Sequence, residues 1–234
     1  MIYGETGVYP VSLSVKTRMI KYYCKLIDPS CVCLSRKMLE LLKELFFTNL
    51  YKCRWLRSVV KLLQVIDATY LLDCNIPVKG ETVSKALKYK LRELFVIDWR
   101  KQLGKSSKCD TYSMFKVNFE PEKYLSYLPQ NLAVNLCKFR TSNHRLEIET
   151  MRYVRPFVNR LDRKCFKCTL SETGNEYHHL LVCPYFADIR LKYISNRYTQ
   201  NVSFVKFLDL ISSRSGKIMF NLAIFITESM KLYR

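Results

Sequence analysis

Residues 165–186 read CFKCTLSETGNEYHHLLVCPYF, and within them Cys165, Cys168, His178 and Cys183 stand as C-x2-C-x9-H-x4-C. Two intervening residues let a pair of thiolates clasp one ion through a tight knuckle turn. A His and a Cys separated by four residues lie about one helical turn apart and can face that ion together. Three thiolates and a neutral imidazole suit tetrahedral Zn²⁺ and leave no open position, so the expected site is structural. Arg163, Lys164 and Lys167 can offset its net negative charge. Binding there would supply folding energy, on the order of 10 kcal/mol in small zinc modules. His179 is a rival ligand, since H-x3-C is also feasible and spacing alone prefers neither ring.

Working outward, Lys138–Lys167 holds nine Lys or Arg against three acids, interleaved with Phe139, Tyr153, Phe157 and Phe166. Cations neutralise phosphates while aromatics stack on unpaired bases. The candidate nucleic-acid contacts are Lys138, Arg140, Arg145, Arg152, Tyr153, Arg155, Arg160, Arg163, Lys164 and Lys167. The strip belongs to a strongly basic chain of 234 residues with formal charge +19, about +11 over residues 1–117 (21 minus 10) and +8 over the rest (18 minus 10). Like charges at that density repel unless something anionic neutralises them. RNA or DNA is the expected partner, and an acidic protein surface the alternative.

The chain carries ten cysteines, yet no signal peptide opens it and no apolar run reaches the ~18 residues of a membrane span. A reducing intracellular setting, nuclear or nucleocytoplasmic, is the expectation, and clustered cysteines there read as metal ligands. Of the scattered remainder, Cys24, Cys53, Cys74, Cys109 and Cys137 read as small apolar residues. Cys31 and Cys33 make a weak candidate for a second metal site.

Low Gly and Pro counts (6 and 7) oppose an all-β fold. The apolar pattern is helical. Leu34, Met38, Leu41, Leu42 and Leu45 recur at three and four residues, with Ser35 a candidate N-cap; Trp55, Val59, Leu62, Leu63, Ile66 and Tyr70 form a second stripe. After a break at Pro77–Gly80, Thr82 is placed to cap a third helix with Val83, Leu87, Leu91 and Leu94 on one face and Lys85, Lys88, Arg92 and Arg100 on the other. Residues 108–136 predict two or three short helices punctuated by Pro121 and Pro129, and 184–196, 201–211 and 215–232 again have helical spacing. The expectation is mainly α: an N-terminal helical bundle over 1–105, then a helical region over 106–234 embedding a zinc knuckle at about 163–186. The opening MIYGETGVYP reads as a severed end, too short for a domain.

Nothing in the chain supplies catalysis. Polymerase chemistry needs carboxylates gathered around two metal ions, and no adjacent Asp–Asp pair occurs. Glycine-rich phosphate loops, H-E-x-x-H and G-x-S-x-G are likewise missing. The expectation is a chain that is not an enzyme and takes no small-molecule substrate. His144 reads as a hydrogen-bonding structural residue, and Glu149 as a partner ordering a nearby Arg.

LCKFRTSNHRLEIETMRYVRP, then CFKC, then GNEYHHLLVCPYF and Arg190, resemble the region downstream of the polymerase in non-LTR (LINE-type) retrotransposon reverse transcriptases. That family shows F-R-T/S-x-N-H-x-L-x-I-E-x-x-R-Y, a C-x2-C pair and E-Y-H-x-L-x-x-C-P-x-[YF]. Tyr9–Pro10, MIKYYCKLI and NFEPEKYLSYLP also look like it, so the likeness covers nearly the whole chain and is most specific from Phe139 to Phe186. It implies a non-catalytic segment that holds element RNA or target DNA during target-primed reverse transcription. It maps the ligand onto His178, and assigns Arg140, His144, Arg145, Glu149, Arg152 and Tyr153 to the block before the knuckle. His179 departs from the pattern, which commonly has an aromatic residue there.

Overall fold

The protein is described by a computed structural model over residues 1–73 and 78–233; Cys74 and Pro77 lie outside the described residues. Helices account for nearly all regular structure, and the only paired extended backbone among those residues is an antiparallel bridge between Lys164 and Thr173. The fold is mainly α.

The chain divides into two compact units: Tyr9–Trp99, and Met1–Val8 together with the chain from Arg100 onward. The boundary expected near residue 105 falls instead after Trp99, inside a helix, and the opening residues join the C-terminal unit. They are no loose end. Ile2–Thr6 forms a short helix, α1, and Gly7 closes it at φ +64°. That conformation favours glycine, and a Cβ there would collide with Pro121.

In Tyr9–Trp99 the helices are α2 (Val11–Ile27), α3 (Leu34–Phe47), α4 (Arg54–Gln64) and most of α5 (Gly80–Lys105). Leu13, Ile20, Tyr23 and Ile27 of α2 meet Leu56, Val59, Leu62 and Leu63 of α4 in one core, which Leu87 and Leu91 of α5 join. The stripe expected on α4 is therefore real. The stripe on α5 drifts: Leu94 is exposed and Trp99 is buried in its place, following spacing of four from Leu87 and Leu91. On α3 the expected stripe points largely to solvent. Leu34, Met38 and Leu41 are exposed, and Leu39 alone is buried. Ser35 does not cap α3, whose N-cap is Cys33, and Thr82 lies inside α5.

The second unit contains α6 (Asp110–Phe115), α7 (Tyr124–Tyr127), α8 (Gln130–Arg140), α9 (Glu147–Thr150), α10 (Ala187–Tyr193), α11 (Asn196–Thr199), α12 (Phe204–Ile211) and α13 (Gly216–Lys231). Breaks at Pro121 and Pro129 separate α6, α7 and α8, as the sequence indicates. Met219, Leu222, Ala223 and Ile226 recur on α13 at three and four residues and are buried. They pack with Leu132, Leu136 and Phe139 of α8, and the same core takes in Phe186, Phe207, Leu210, Cys165 and Cys183. The cysteine-bearing loop is thus built into the main core of this unit.

Candidate metal centre

Arg163–Gly174 folds as a tight ribbon. Cys165 N–H donates to Glu172 O (2.9 Å) and Gly174 N–H to Arg163 O (2.9 Å) on either side of the Lys164–Thr173 bridge. Ser171 takes φ +54° at the turn. A side chain at Gly174 would strike the Glu147 carboxylate, so glycine is required by close approach. Glu147 in turn accepts from Phe166 N–H (3.2 Å), fixing the knuckle between the two cysteines. The ribbon places Cys165 and Cys168 at one end.

The other ligand pair comes from a single π turn over His178–Val182, closed by Cys183 N–H donating to His178 O at 2.7 Å. An i→i+5 bond brings residues five positions apart together, which is the separation of His178 and Cys183. Asn175 caps the turn by accepting from His178 N–H (2.8 Å). Buried Arg190 ties its far side, donating to Leu180 O and Cys183 O at 2.7 Å each.

These pieces gather the four groups. One ligand atom from each of Cys165, Cys168, His178 and Cys183 lies within 4.8 Å of all the others. Cys165 Sγ and Cys183 Sγ are 4.0 Å apart, and Cys168 Sγ and His178 Nε2 are 3.3 Å apart. A tetrahedral ion with metal–sulfur bonds of ~2.3 Å and metal–nitrogen bonds of ~2.0 Å needs edges of roughly 3.8 and 3.5 Å. The fit is close. Burial pushes the Cys183 thiol up to about 12 and raises Cys165 as well; a cation among the sulfurs would reverse that preference for the protonated form. The arrangement can hold a metal ion.

The structure separates the two histidines. His178 presents Nε2 to the sulfurs while its Nδ1 meets the Glu172 carboxylate at 3.0 Å, the outer support metal-ligating imidazoles ordinarily have. His179 turns into the core, Nε2 on Ser229 Oγ at 2.9 Å, its ring packed on Phe139, Phe186 and Phe225. Burial, then His144 and Arg190, hold its pKa well below the ordinary histidine value, so it is neutral. Cys31 Sγ and Cys33 Sγ are 3.0 Å apart, but no third ligand group joins them among the described residues.

The cationic candidates fall into three groups. Lys138, Arg145, Tyr153, Arg155 and Lys164 are exposed, and Phe157 and Phe166 stand out to solvent as well. Arg152, Arg160 and Lys167 are partly covered: Arg152 pairs with Glu149 (2.8 Å), Arg160 with Asp110 (2.8 Å), and Lys167 donates to Leu232 O (2.8 Å). Arg140 and Arg163, expected among the nucleic-acid contacts, are instead buried and present no surface to phosphate. Arg163 donates to Ile148 O at 2.7 Å and to Val158 O at 3.3 Å, stapling the loop beneath the cysteines. Arg140 is clamped by Glu5 (3.1 Å) and Glu122 (3.1 Å), donates to Ile211 O, and lies over the Phe115 ring. Burial alone would lower its pKa, yet Glu5 and Glu122 carry it above the usual arginine value. Phe139, grouped with the aromatics of the strip, is a core residue.

Sequence reasoning missed Glu172 behind His178, Glu5 and Glu122 against Arg140, Glu147 on the knuckle amide, and Glu176. Glu176 accepts from Ser142 Oγ (3.0 Å) and meets His144 Nε2 (3.0 Å), which makes His144 a structural hydrogen-bonding residue. Burial pushes the Glu176 carboxyl up, but His144, Ser142 and a backbone amide outweigh it and hold the pKa low. Position in the C-x2-C…H interval was the one available signal for Glu172. Glu5 had none, lying 135 residues from its partner. No helix among the described residues is long and apolar enough to cross a membrane. No protein-family model matches the chain, and no curated protein or solved structure does either.

Proposed function

We propose that this chain is a non-catalytic nucleic-acid-binding module in which Cys165, Cys168, His178 and Cys183 hold Zn²⁺ as a structural brace. Zinc is favoured because three thiolates and an imidazole at tetrahedral spacing match its preferred donors. One observation carries the binding role. From the end of α9 into the metal ribbon, exposed Tyr153, Phe157 and Phe166 alternate with exposed Arg155 and Lys164 along a segment stapled by Arg163. Apolar rings held out in solvent beside unpaired cations suit stacking on unstacked bases and neutralisation of phosphates. In this reading the protein acts like the segment downstream of the polymerase in LINE-type reverse transcriptases, holding element RNA or target DNA in a nuclear setting during target-primed synthesis.

Mobility shift of the zinc-loaded protein with single-stranded RNA and duplex DNA tests it. Neutralising about five phosphates of a single strand gives a log–log salt slope near −3.5. Failure to retain either nucleic acid at low salt would refute the reading. A zinc-braced protein-interaction module for an acidic partner is the second reading, favoured by the solvent-facing Leu34, Met38 and Leu41 on α3.

A further inference from the structure

A cavity of about 300 Å³ lies where the C-terminal ends of α8 and α13 meet the turn after α8. Lys138, Arg145 and Lys231 line it, with Asn135, Asn143 and Thr227 supplying neutral polar groups. Half-buried Met230 gives it an apolar wall, backed by the core ring of Phe139. Among the described residues no carboxylate lines it. That combination is selective. The three cations outweigh the roughly half-unit negative charge at each helix end, so the site attracts an anion. Its volume is at the small end of ligand pockets, ~300–1,000 Å³. His144 forms a fixed part of the lining: Nε2 meets Glu176, and Nδ1 accepts from Leu146 N–H at 3.4 Å. Asn135 Nδ2 donates to Thr227 Oγ1 (3.1 Å), tying α8 to α13 across the cavity. The walls are therefore braced before any ligand arrives.

We infer that this cavity is a single-nucleotide pocket: it receives one unstacked nucleotide of a bound strand, phosphate on Lys138, Arg145 and Lys231, base against Met230. Asn143, exposed at the mouth, offers a donor and an acceptor to the base edge. The inference rests on the proposed nucleic-acid role and gives it a specific seat, separate from the aromatic loop beside the metal centre.

The test uses the full, zinc-loaded chain. Isothermal titration with UMP, dUMP and inorganic phosphate is run beside anisotropy of a labelled single-stranded RNA. The variants are Lys138→Glu with Lys231→Glu, Arg145→Gln alone, and Lys16→Glu as an exposed cation in the other unit. Zinc content and circular dichroism confirm that each is folded. Saturable UMP binding, lost in the double variant and weakened in Arg145→Gln, with strand affinity down at least ~10-fold (about 1.4 kcal/mol) and Lys16→Glu near wild type, supports the pocket. RNA and DNA are distinguished by the UMP and dUMP arms. Strand binding that persists while UMP fails to bind and the double variant behaves like Lys16→Glu overturns the pocket and leaves the nucleic-acid role standing. Phosphate binding as tightly as UMP overturns the nucleotide assignment in favour of a plain anion site. UMP binding without any strand affinity overturns both the seat within a strand and the broader role.

Discussion

His178 and His179 are neighbours with opposite tasks. One is held by Glu172 with its free nitrogen among sulfurs, the other is sunk between aromatic rings. His178→Ala should strip stoichiometric zinc, as metal analysis after gel filtration would show, while His179→Ala should keep the metal and lose about 3 kcal/mol of stability to the cavity it leaves. The reverse order would reassign the ligand. Glu172→Gln should weaken zinc affinity by ~10–100-fold without abolishing it, measured by chelator competition. Buried Arg140 makes a separate prediction. Removing Glu5 leaves buried Arg140 with Glu122 as its one carboxylate partner, so Glu5→Leu should cost about 1.5–3 kcal/mol in denaturant unfolding. Pairing it with Arg140→Met should recover much of that loss, since an apolar pair of similar volume is often as stable. The ligand quartet was legible because its spacing is local. Choosing between the two rings was not, because the decision belongs to Phe186, Phe225 and Ser229, which only folding brings alongside.

At the scale of elements, periodicity reported where helices lie more faithfully than which face they bury. The stripe on α4 is core, but on α3 the same kind of stripe faces solvent and Leu39 carries the contact. Spacing of three and four defines a face; only the neighbours available determine whether it is covered. Met38→Ser and Leu41→Ser should therefore each change stability by less than ~0.5 kcal/mol, whereas Leu39→Ala should cost about 2–4 kcal/mol by chemical denaturation. A large loss in the first pair would mean that α3 is covered on that face. The basic strip shows the same blind spot. Composition marks Arg140 and Arg163 as cations like their neighbours, but Arg140 ends α8 on its buried face against Glu5 and Glu122, and Arg163 finds two carbonyls beneath the cysteines. The π turn was also beyond reading, although the five-residue step from His178 to Cys183 is its natural period.

Across the molecule, each unit has its own apolar core, and the cysteine quartet belongs to one of them. Chelating the ion should expose backbone amides around Cys165–Arg190 to hydrogen exchange while those of α2 and α4 keep their protection, because lost metal binding is lost folding energy only where the ligands sit. The division into units also bears on how the protein can be dissected at the bench. A cut at the expected boundary near residue 105 would discard α1 and with it Glu5, one of the two carboxylates on Arg140. Such a C-terminal piece keeps Glu122 on Arg140 but loses the Glu5 contact, and should melt roughly 5–10 °C below the intact chain, given about 1.5–3 kcal/mol for that charged hydrogen-bonded contact. A synthetic peptide of the first eight residues, added in trans, should dock and restore part of the difference, so that a stretch resembling a dispensable leader behaves as a missing piece of the C-terminal core.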